Sequence, residues 1–183
     1  VRPGANCANR RMPSAYFKDQ ILVDSMVFST EGLRHLVAET GASQSVRQYL
    51  KDRRILLVIK TVQLRHNAEN IVALKGHLTR DQYKALFTSS TCLILHYPAS
   101  FTYRVSATLM ECFSNNKACL LSDIEAFRYF SNKFCYNPFY ASSKELCSGL
   151  DRLIRTKELL QNPYRGLTDQ VPSFARLAPG WRQ

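Results

Sequence analysis

Thr91-Cys-Leu-Ile-Leu-His-Tyr-Pro98, Ala99-Ser-Phe-Thr-Tyr-Arg-Val-Ser-Ala-Thr-Leu-Met-Glu111 and Ala118-Cys-Leu-Leu-Ser-Asp123 are the three runs that decide the fold. The first is apolar and closed by Pro98, which reads as a buried strand. In the second, Val105, Leu109, Cys112 and Phe113 fall at i, i+4, i+7 and i+8, one face of a helix. Arg104, Thr108, Glu111 and Asn115 fall together on another face. The third run is a strand again. Strands alternating with helices of this length call for a parallel sheet, and ligands of open parallel sheets sit at the C-terminal ends of the strands. The helix is therefore expected to open with Arg104 at that edge and to carry Glu111 two turns in.

The flanking sequence repeats the alternation. Ile21-Leu-Val-Asp-Ser-Met-Val27 and Asn70-Ile-Val-Ala-Leu74 read as strands. Ile55-Leu-Leu-Val-Ile59 is a continuous apolar run, as expected of a parallel strand covered on both faces. One helix is expected with Leu33, Leu36 and Val37 on its inner face. A second, over about 46–51, opens with the capping-box spacing Ser45…Gln48. Thr79…Gln82 and Ser142…Glu145 repeat that spacing, and Leu146, Leu150, Leu153 and Ile154 then line one helical face. The expected class is α/β, a Rossmann-like parallel sheet with helices on both faces. Its expected division is a linker-like segment over 1–16 with Pro3-Gly4 and Pro13, a Rossmann-like domain over 17–160, and an irregular or helical tail over 161–183.

Composition bounds the partners. A chain of 183 residues suits one domain, and a hydrophobic fraction of 45% suffices for its core. Lys and Arg number 25 against 14 Asp and Glu, a net charge of +11, which favours anionic partners. An ordinary basic globular protein fits the same charge. The cations are scattered, and aromatic residues do not interleave with them as a stacking platform requires, so nucleic acid is not an expected partner. Cys7, Cys92, Cys112, Cys119, Cys135 and Cys147 include no C-x-x-C pair. A metal site is not expected, and buried free thiols in a reducing cytoplasm are. No stretch approaches the roughly 20 apolar residues of a membrane span, and no signal-peptide pattern opens the chain. It begins at Val1 rather than Met, as a piece of something longer would.

Seven glycines form neither G-x-G-x-x-G nor G-x-x-x-x-G-K, which disfavours dinucleotide dehydrogenases and P-loop enzymes. The histidines are isolated, with His96 distinguished by its place at a strand end. Strand ends would assemble the site from Lys60-Thr61, Gly76, His96-Tyr97, Ser100 to Arg104 and Ser122-Asp123. The turn before Arg104 offers backbone N–H groups at a helix N-terminus, which suit phosphate. Glu111 suits ribose hydroxyls. The same spacing fits Glu111 as a solvated helix residue with Arg104 as its surface neighbour.

From about residue 1 to 154 the chain resembles the C-terminal, nucleotide-sugar-binding domain of retaining GT-B glycosyltransferases of the group 1 type. Val1-Arg-Pro-Gly-Ala-Asn6 resembles their interdomain linker, V-x-P-N-G-V-D. Lys75-Gly-His-Leu-Thr-Arg-Asp-Gln-Tyr-Lys-Ala-Leu-Phe87 resembles a strand-to-helix segment of theirs, and Cys92 to Pro98 their "v-f-v-l-P-S" strand. Thr108-Leu-Met-Glu-Cys-Phe-Ser-Asn-Asn-Lys-Ala-Cys-Leu-Leu-Ser-Asp123 resembles "l-E-A-m-A-x-G-x-P-V-v-x-s-d". The family places two Glu residues eight positions apart. Glu111 matches the second, which contacts the donor ribose. Tyr103 stands where the first, which contacts the donor sugar, is expected. The loop Ser25 to Gly32 has no Arg, and Glu31 stands where a diphosphate-binding Lys is expected.

What the resemblance implies is a donor site of Glu111, Arg104, Tyr103, Thr108, Ser106, Lys60 and His96. Arg104, the helix N-terminus and Lys60 or Arg65 would supply charge for the diphosphate. No catalytic residue follows from it. The nucleotide sugar is substrate, with no cofactor or metal expected, and the acceptor-binding domain lies N-terminal to these residues. The implied activity is transfer of a sugar to a polysaccharide or glycoconjugate. The implied setting is cytoplasmic, peripheral to the inner face of the membrane, near a membrane surface or lipid-linked acceptor. The departures at Tyr103 and Ser25 to Gly32 equally fit a non-catalytic descendant kept for interaction or regulation.

Overall fold

Strands whose residues are apolar on both faces have to be covered on both faces, and the sheet meets that demand. It comprises β1 (Asp19–Asp24), β2 (Ile55–Thr61), β3 (Ile71–Lys75), β4 (Cys92–Leu95), β5 (Cys119–Ser122) and β6 (Phe139–Tyr140). The order is β3-β2-β1-β4-β5-β6, and every neighbouring pair is parallel. These elements belong to a computed structural model that describes residues 18–24, 44–61, 70–75, 78–102 and 105–165.

Alternation along each strand sorts the core into two layers. Ile21, Val23, Ile55, Leu57, Ile59, Cys92, Ile94 and Leu120 form the first. It is covered by α1 (Gln44–Asp52) through Leu50 and by α5 (Ser143–Arg155) through Leu146, Leu150 and Leu153. Leu22, Val58, Leu93, Leu95, Cys119 and Leu121 form the second. That layer lies under α2 (Arg80–Ser89), α3 (Ala107–Ser114) and α4 (Glu125–Arg128), through Phe87, Leu109, Cys112 and Phe127. A short α6 (Lys157–Gln161) follows α5. The Rossmann-like α/β class expected from the sequence is therefore the class observed. Each large side chain taken out of water here contributes about 1.5–3 kcal/mol.

Helix starts follow the capping chemistry, with three differences from expectation. At α2 the box closes fully: Thr79 Oγ1 accepts the Gln82 N–H (3.3 Å) and Gln82 Oε1 accepts the Thr79 N–H (2.9 Å). At α5 it closes by half. Ser142 Oγ accepts the Glu145 N–H (3.3 Å), but Glu145 Oε2 takes the Ala141 N–H (2.7 Å), one residue early. α1 begins at Gln44, so Ser45 lies inside the helix instead of capping it. Gln48 donates to Asp52 Oδ1 a turn later (2.6 Å), an i,i+4 pair that replaces the expected reach back. The decisive helix also starts later than its apolar spacing suggests. Ser106 is its cap, accepting the Leu109 N–H (3.1 Å), and so Val105 lies outside the helix and is 66% exposed. A Ser that satisfies an orphan N–H outcompetes one more apolar contact. β1 ends at Asp24 within its described span; the helix expected around Leu33, Leu36 and Val37 lies outside the described residues.

Buried polar side chains tie elements together where backbone groups would otherwise lack partners. Asn70, 6% exposed, donates from Nδ2 to the Leu50 and Ile55 carbonyls (3.4 and 3.2 Å), closing α1 and β2 onto the start of β3. Tyr136 Oη accepts the Cys119 N–H (3.0 Å) and donates to its carbonyl (2.6 Å). Tyr164, buried against Phe134, donates to the Lys117 carbonyl (2.5 Å). Lys117 Nζ in turn donates to the Ser90 carbonyl (2.6 Å), at the end of α2, where a cation suits the helix dipole. Asn70→Ala is expected to lower the unfolding free energy by about 1–3 kcal/mol with an unchanged denaturant slope, measured by urea titration.

The thiols are sorted by burial. Cys92, Cys112 and Cys119 are buried, Cys147 is half-buried and Cys135 is exposed. Burial first, and the neighbouring Cys119 next, push the Cys92 thiol up to about 12. Because thiolate is the nucleophile, Cys135 is expected to alkylate with iodoacetamide at pH 8 long before Cys92. Peptide mass spectrometry with and without urea checks the order, and Cys92 labelling as fast in the native chain would contradict the packing.

Candidate functional site

In a parallel sheet all strand C-termini share one edge. Here Asp24, Thr61, Lys75, Leu95, Ser122 and Tyr140 end there. The chain winds outward from β1 to β3, crosses back to β4 beside β1, and then winds outward to β6. The reversal between β1 and β4 is the sheet's switch point, the general ligand position in such sheets.

The segment leaving β4 is held rigidly. Ser122 Oγ accepts the Tyr97 N–H (3.0 Å) and donates to the Tyr97 carbonyl (2.9 Å). The Tyr97 ring packs edge-on to Phe101 with centroids 4.8 Å apart, and 5.1 Å from Phe127. Its hydroxyl shares a hydrogen bond with Ser106 Oγ (2.9 Å). Ser106 is thus buried and occupied by Tyr97 and the α3 cap. Thr108 is buried too, so the exposed polar face of α3 carries Glu111 and Asn115 without it. The shared phase read from spacing stays, with 108, 111 and 115 at i, i+3 and i+7; what differs is that Thr108, in the first turn, is buried.

Strand parity divides the expected site. Tyr97 points into the second layer, and its neighbour His96 points into the first. There His96 Nδ1 meets Tyr140 Oη at 2.9 Å, with the rings nearly parallel at 16°. Glu111 rides on α3, over the second layer. His96 and Glu111 therefore lie on opposite sides of the sheet and do not form one cluster. Lys60 takes its expected place near the end of β2, paired with Asp24 and Leu74. Tyr103, Arg104, Arg65, Gly76 and the Ser25 to Gly32 loop lie outside the described residues.

The Glu111 carboxylate has a partner that spacing alone does not reveal. Tyr83, from α2, donates its hydroxyl to Glu111 Oε2 at 2.7 Å. Sequence reading does not pair Tyr83 with Glu111, because the contact spans 28 residues and depends on how two helices pack side by side. The Glu111 carbonyl accepts from the Asn115 side chain (2.8 Å) and backbone (3.0 Å), closing the end of α3.

On the other side of the sheet, His96, Ser122, Asp123, Tyr140, Ser142 and Leu146 line a cleft of about 200 Å³. It is smaller than a typical small-molecule pocket, roughly 300–1,000 Å³, and suits a small polar group rather than a whole nucleotide. Burial alone raises the Tyr140 hydroxyl far above the ordinary phenol range, so it stays protonated. Asp123, at the rim, is held by Arg128 through Nε (2.5 Å) and Nη2 (2.7 Å). A larger hollow of about 450 Å³ lies beside β6, between Arg128, Asn137, Glu145 and Arg152. Among the described residues no three His, Cys, Asp or Glu side chains gather as a metal site requires. No described helix is long and apolar enough to cross a membrane.

No known protein family and no curated protein matches this chain.

The Asp123–Arg128 pair gives a signed pH dependence. The Arg128 hydrogen bonds hold the Asp123 carboxyl below its ordinary range. A depressed folded-state value means the pair stabilises above the ordinary carboxylate range, near ~4, and that contribution is lost as pH falls through the folded value. Wild type and Arg128→Ala are expected to differ in stability at neutral pH and to converge in acid, measured by urea unfolding across a pH series. A constant difference at every pH would mean that Arg128 acts through packing instead.

Proposed function

We propose that this chain is the donor-binding domain of a retaining glycosyltransferase, which transfers a sugar from a nucleotide sugar to a polysaccharide or glycoconjugate. One observation carries the reading. The stretch that resembles the family's donor-binding motif is strand, helix and strand beside the sheet's switch point, with Glu111 exposed on the helix. In this reading Glu111 takes the ribose hydroxyls. Retaining transfer leaves negative charge on the departing diphosphate, which needs positive charge opposite it. Arg104, Lys60 and the backbone N–H groups at the start of α3 are the groups assigned to it. The acceptor comes from a second, N-terminal domain, and transfer takes place in the cleft between the two, near a membrane surface or lipid-linked acceptor at the inner face of the membrane.

The alternative is a non-catalytic glycosyltransferase-like domain used for interaction or regulation. The Tyr83–Glu111 hydrogen bond favours it, since it already gives Glu111 a structural partner. So does Tyr103 in the position of a sugar-binding Glu.

Calorimetric titration of the chain with uridine and guanosine diphosphates and their sugars separates the two. Half of a two-domain site is expected to bind at roughly high micromolar, about −5 to −6 kcal/mol. Glu111→Gln is expected to weaken that by about 1.5–3 kcal/mol with little change in melting temperature. Absence of heat at millimolar ligand supports the non-catalytic reading. A Glu111→Gln protein that melts several degrees lower yet binds normally removes Glu111 from the site.

A further inference from the structure

We infer that Tyr83 is a positioning residue that orients the Glu111 carboxylate toward a vicinal diol, and so sets selectivity for ribonucleotides over their deoxy counterparts. This rests on the donor-binding reading of the same site and adds to it a residue from a different helix.

An exposed Glu on a helix samples several rotamers, and each costs entropy to fix when a ligand binds. Glu111 is exposed on the second turn of α3, but its Oε2 receives the Tyr83 hydroxyl at 2.7 Å, a charge-assisted bond. Among the described residues Oε1 has no hydrogen-bond partner. The carboxylate is thus held at one oxygen and open at the other. A ribose presents two adjacent O–H donors, and an anchored carboxylate offers them acceptor lone pairs in a fixed direction.

Tyr83 is itself held. It follows the closed capping box at Thr79 and Gln82, and its half-buried ring lies 6.1 Å from Phe87, whose side chain is in the core. A rigid ring on α2 is thereby coupled to an otherwise free-swinging carboxylate on α3. A tyrosine that only bridged two helices would add stability without regard to the sugar of a ligand. One that aims Glu111 alters the ratio of affinities for two ligands that differ only in their hydroxyls.

The test uses the full chain and titrates uridine and guanosine diphosphates against their 2′,3′-dideoxy forms by ligand-observed NMR. Wild type, Tyr83→Phe, Glu111→Gln and the double variant are compared, with melting temperatures recorded for each. Wild type is expected to prefer the ribonucleotide by about tenfold, the scale of one hydrogen bond to a charged group. Tyr83→Phe is expected to cut that preference to about threefold or less while dideoxynucleotide affinity stays the same. The double variant is expected to lose no more selectivity than Glu111→Gln alone, because the two residues act as one unit.

Tyr83→Phe with wild-type selectivity, while Glu111→Gln loses it, overturns the role of Tyr83 and leaves the donor-binding reading standing. Lower melting temperatures in both variants with unchanged selectivity overturn it in favour of a helix-to-helix bridge. Failure of wild type to bind any of the nucleotides overturns the donor-binding reading, and this inference with it.

Discussion

The parallel pairing of β1 with β4 is the constraint on which the rest of the structure depends. Ile21, Leu22 and Val23 pair with Cys92, Leu93 and Ile94, and all six are buried. Strands this apolar on both faces have nowhere stable to sit except between two layers of helix. The pairing joins residues about seventy positions apart, so everything between them must leave β1, build one edge of the sheet and return. Once it forms, the rest extends outward on both sides, and the switch point at the reversal is a consequence of the winding. The same pairing decides which side chains face which layer, and that parity keeps His96 and Glu111 apart.

Both ends of the strands are finished by polar side chains that serve the backbone. Asn70 donates to carbonyls of α1 and β2, Ser122 takes both polar groups of Tyr97, and Tyr136 takes both of Cys119. Each is partly or wholly buried, where an unmet N–H or carbonyl costs about 1–3 kcal/mol. Lys117 and Tyr164 add to the N-terminal edge, where Asn70 and Cys119 also lie. Lys117 Nζ ends α2, and Tyr164 holds the Lys117 carbonyl from the start of the C-terminal segment. At the C-terminal edge it is the Ser122 pair that fixes the segment leaving β4. Without Ser122, the segment leaving β4 would rely on the ring packing of Tyr97, Phe101 and Phe127 and on the Tyr97–Ser106 hydrogen bond.

Charge at the candidate site is arranged in pairs. Asp123 is bound to Arg128 at the rim of the smaller cleft, and Glu111 is bound to a neutral hydroxyl. The second arrangement differs physically from the first. A salt-bridged carboxylate has its charge met, whereas one held by a phenol keeps its negative charge and only loses freedom. Among the described residues Glu111, like Glu145 on the Ala141 N–H, is oriented without a cation partner, which suits an acceptor of ligand hydroxyls.

What the sequence by itself determined was local. Apolar runs marked β1, β2, β4 and β5, because a strand buried on both faces must be apolar at every position. The Thr79–Gln82 box marked the start of α2, because a cap depends only on residues three apart. Alternation of strands with helices was enough for the parallel α/β class. Helix boundaries that depend on competition between neighbours were less legible: Ser106 took the cap, and Val105 was left outside. β6 is two residues long and carries too little pattern to read. The tertiary structure alone decided that Tyr83 meets Glu111, that His96 meets Tyr140, and that these two pairs lie on opposite sides of the sheet. Each contact joins side chains from separate elements, 28 and 44 residues apart, and their meeting is set by helix packing and strand parity, which no short window of sequence contains.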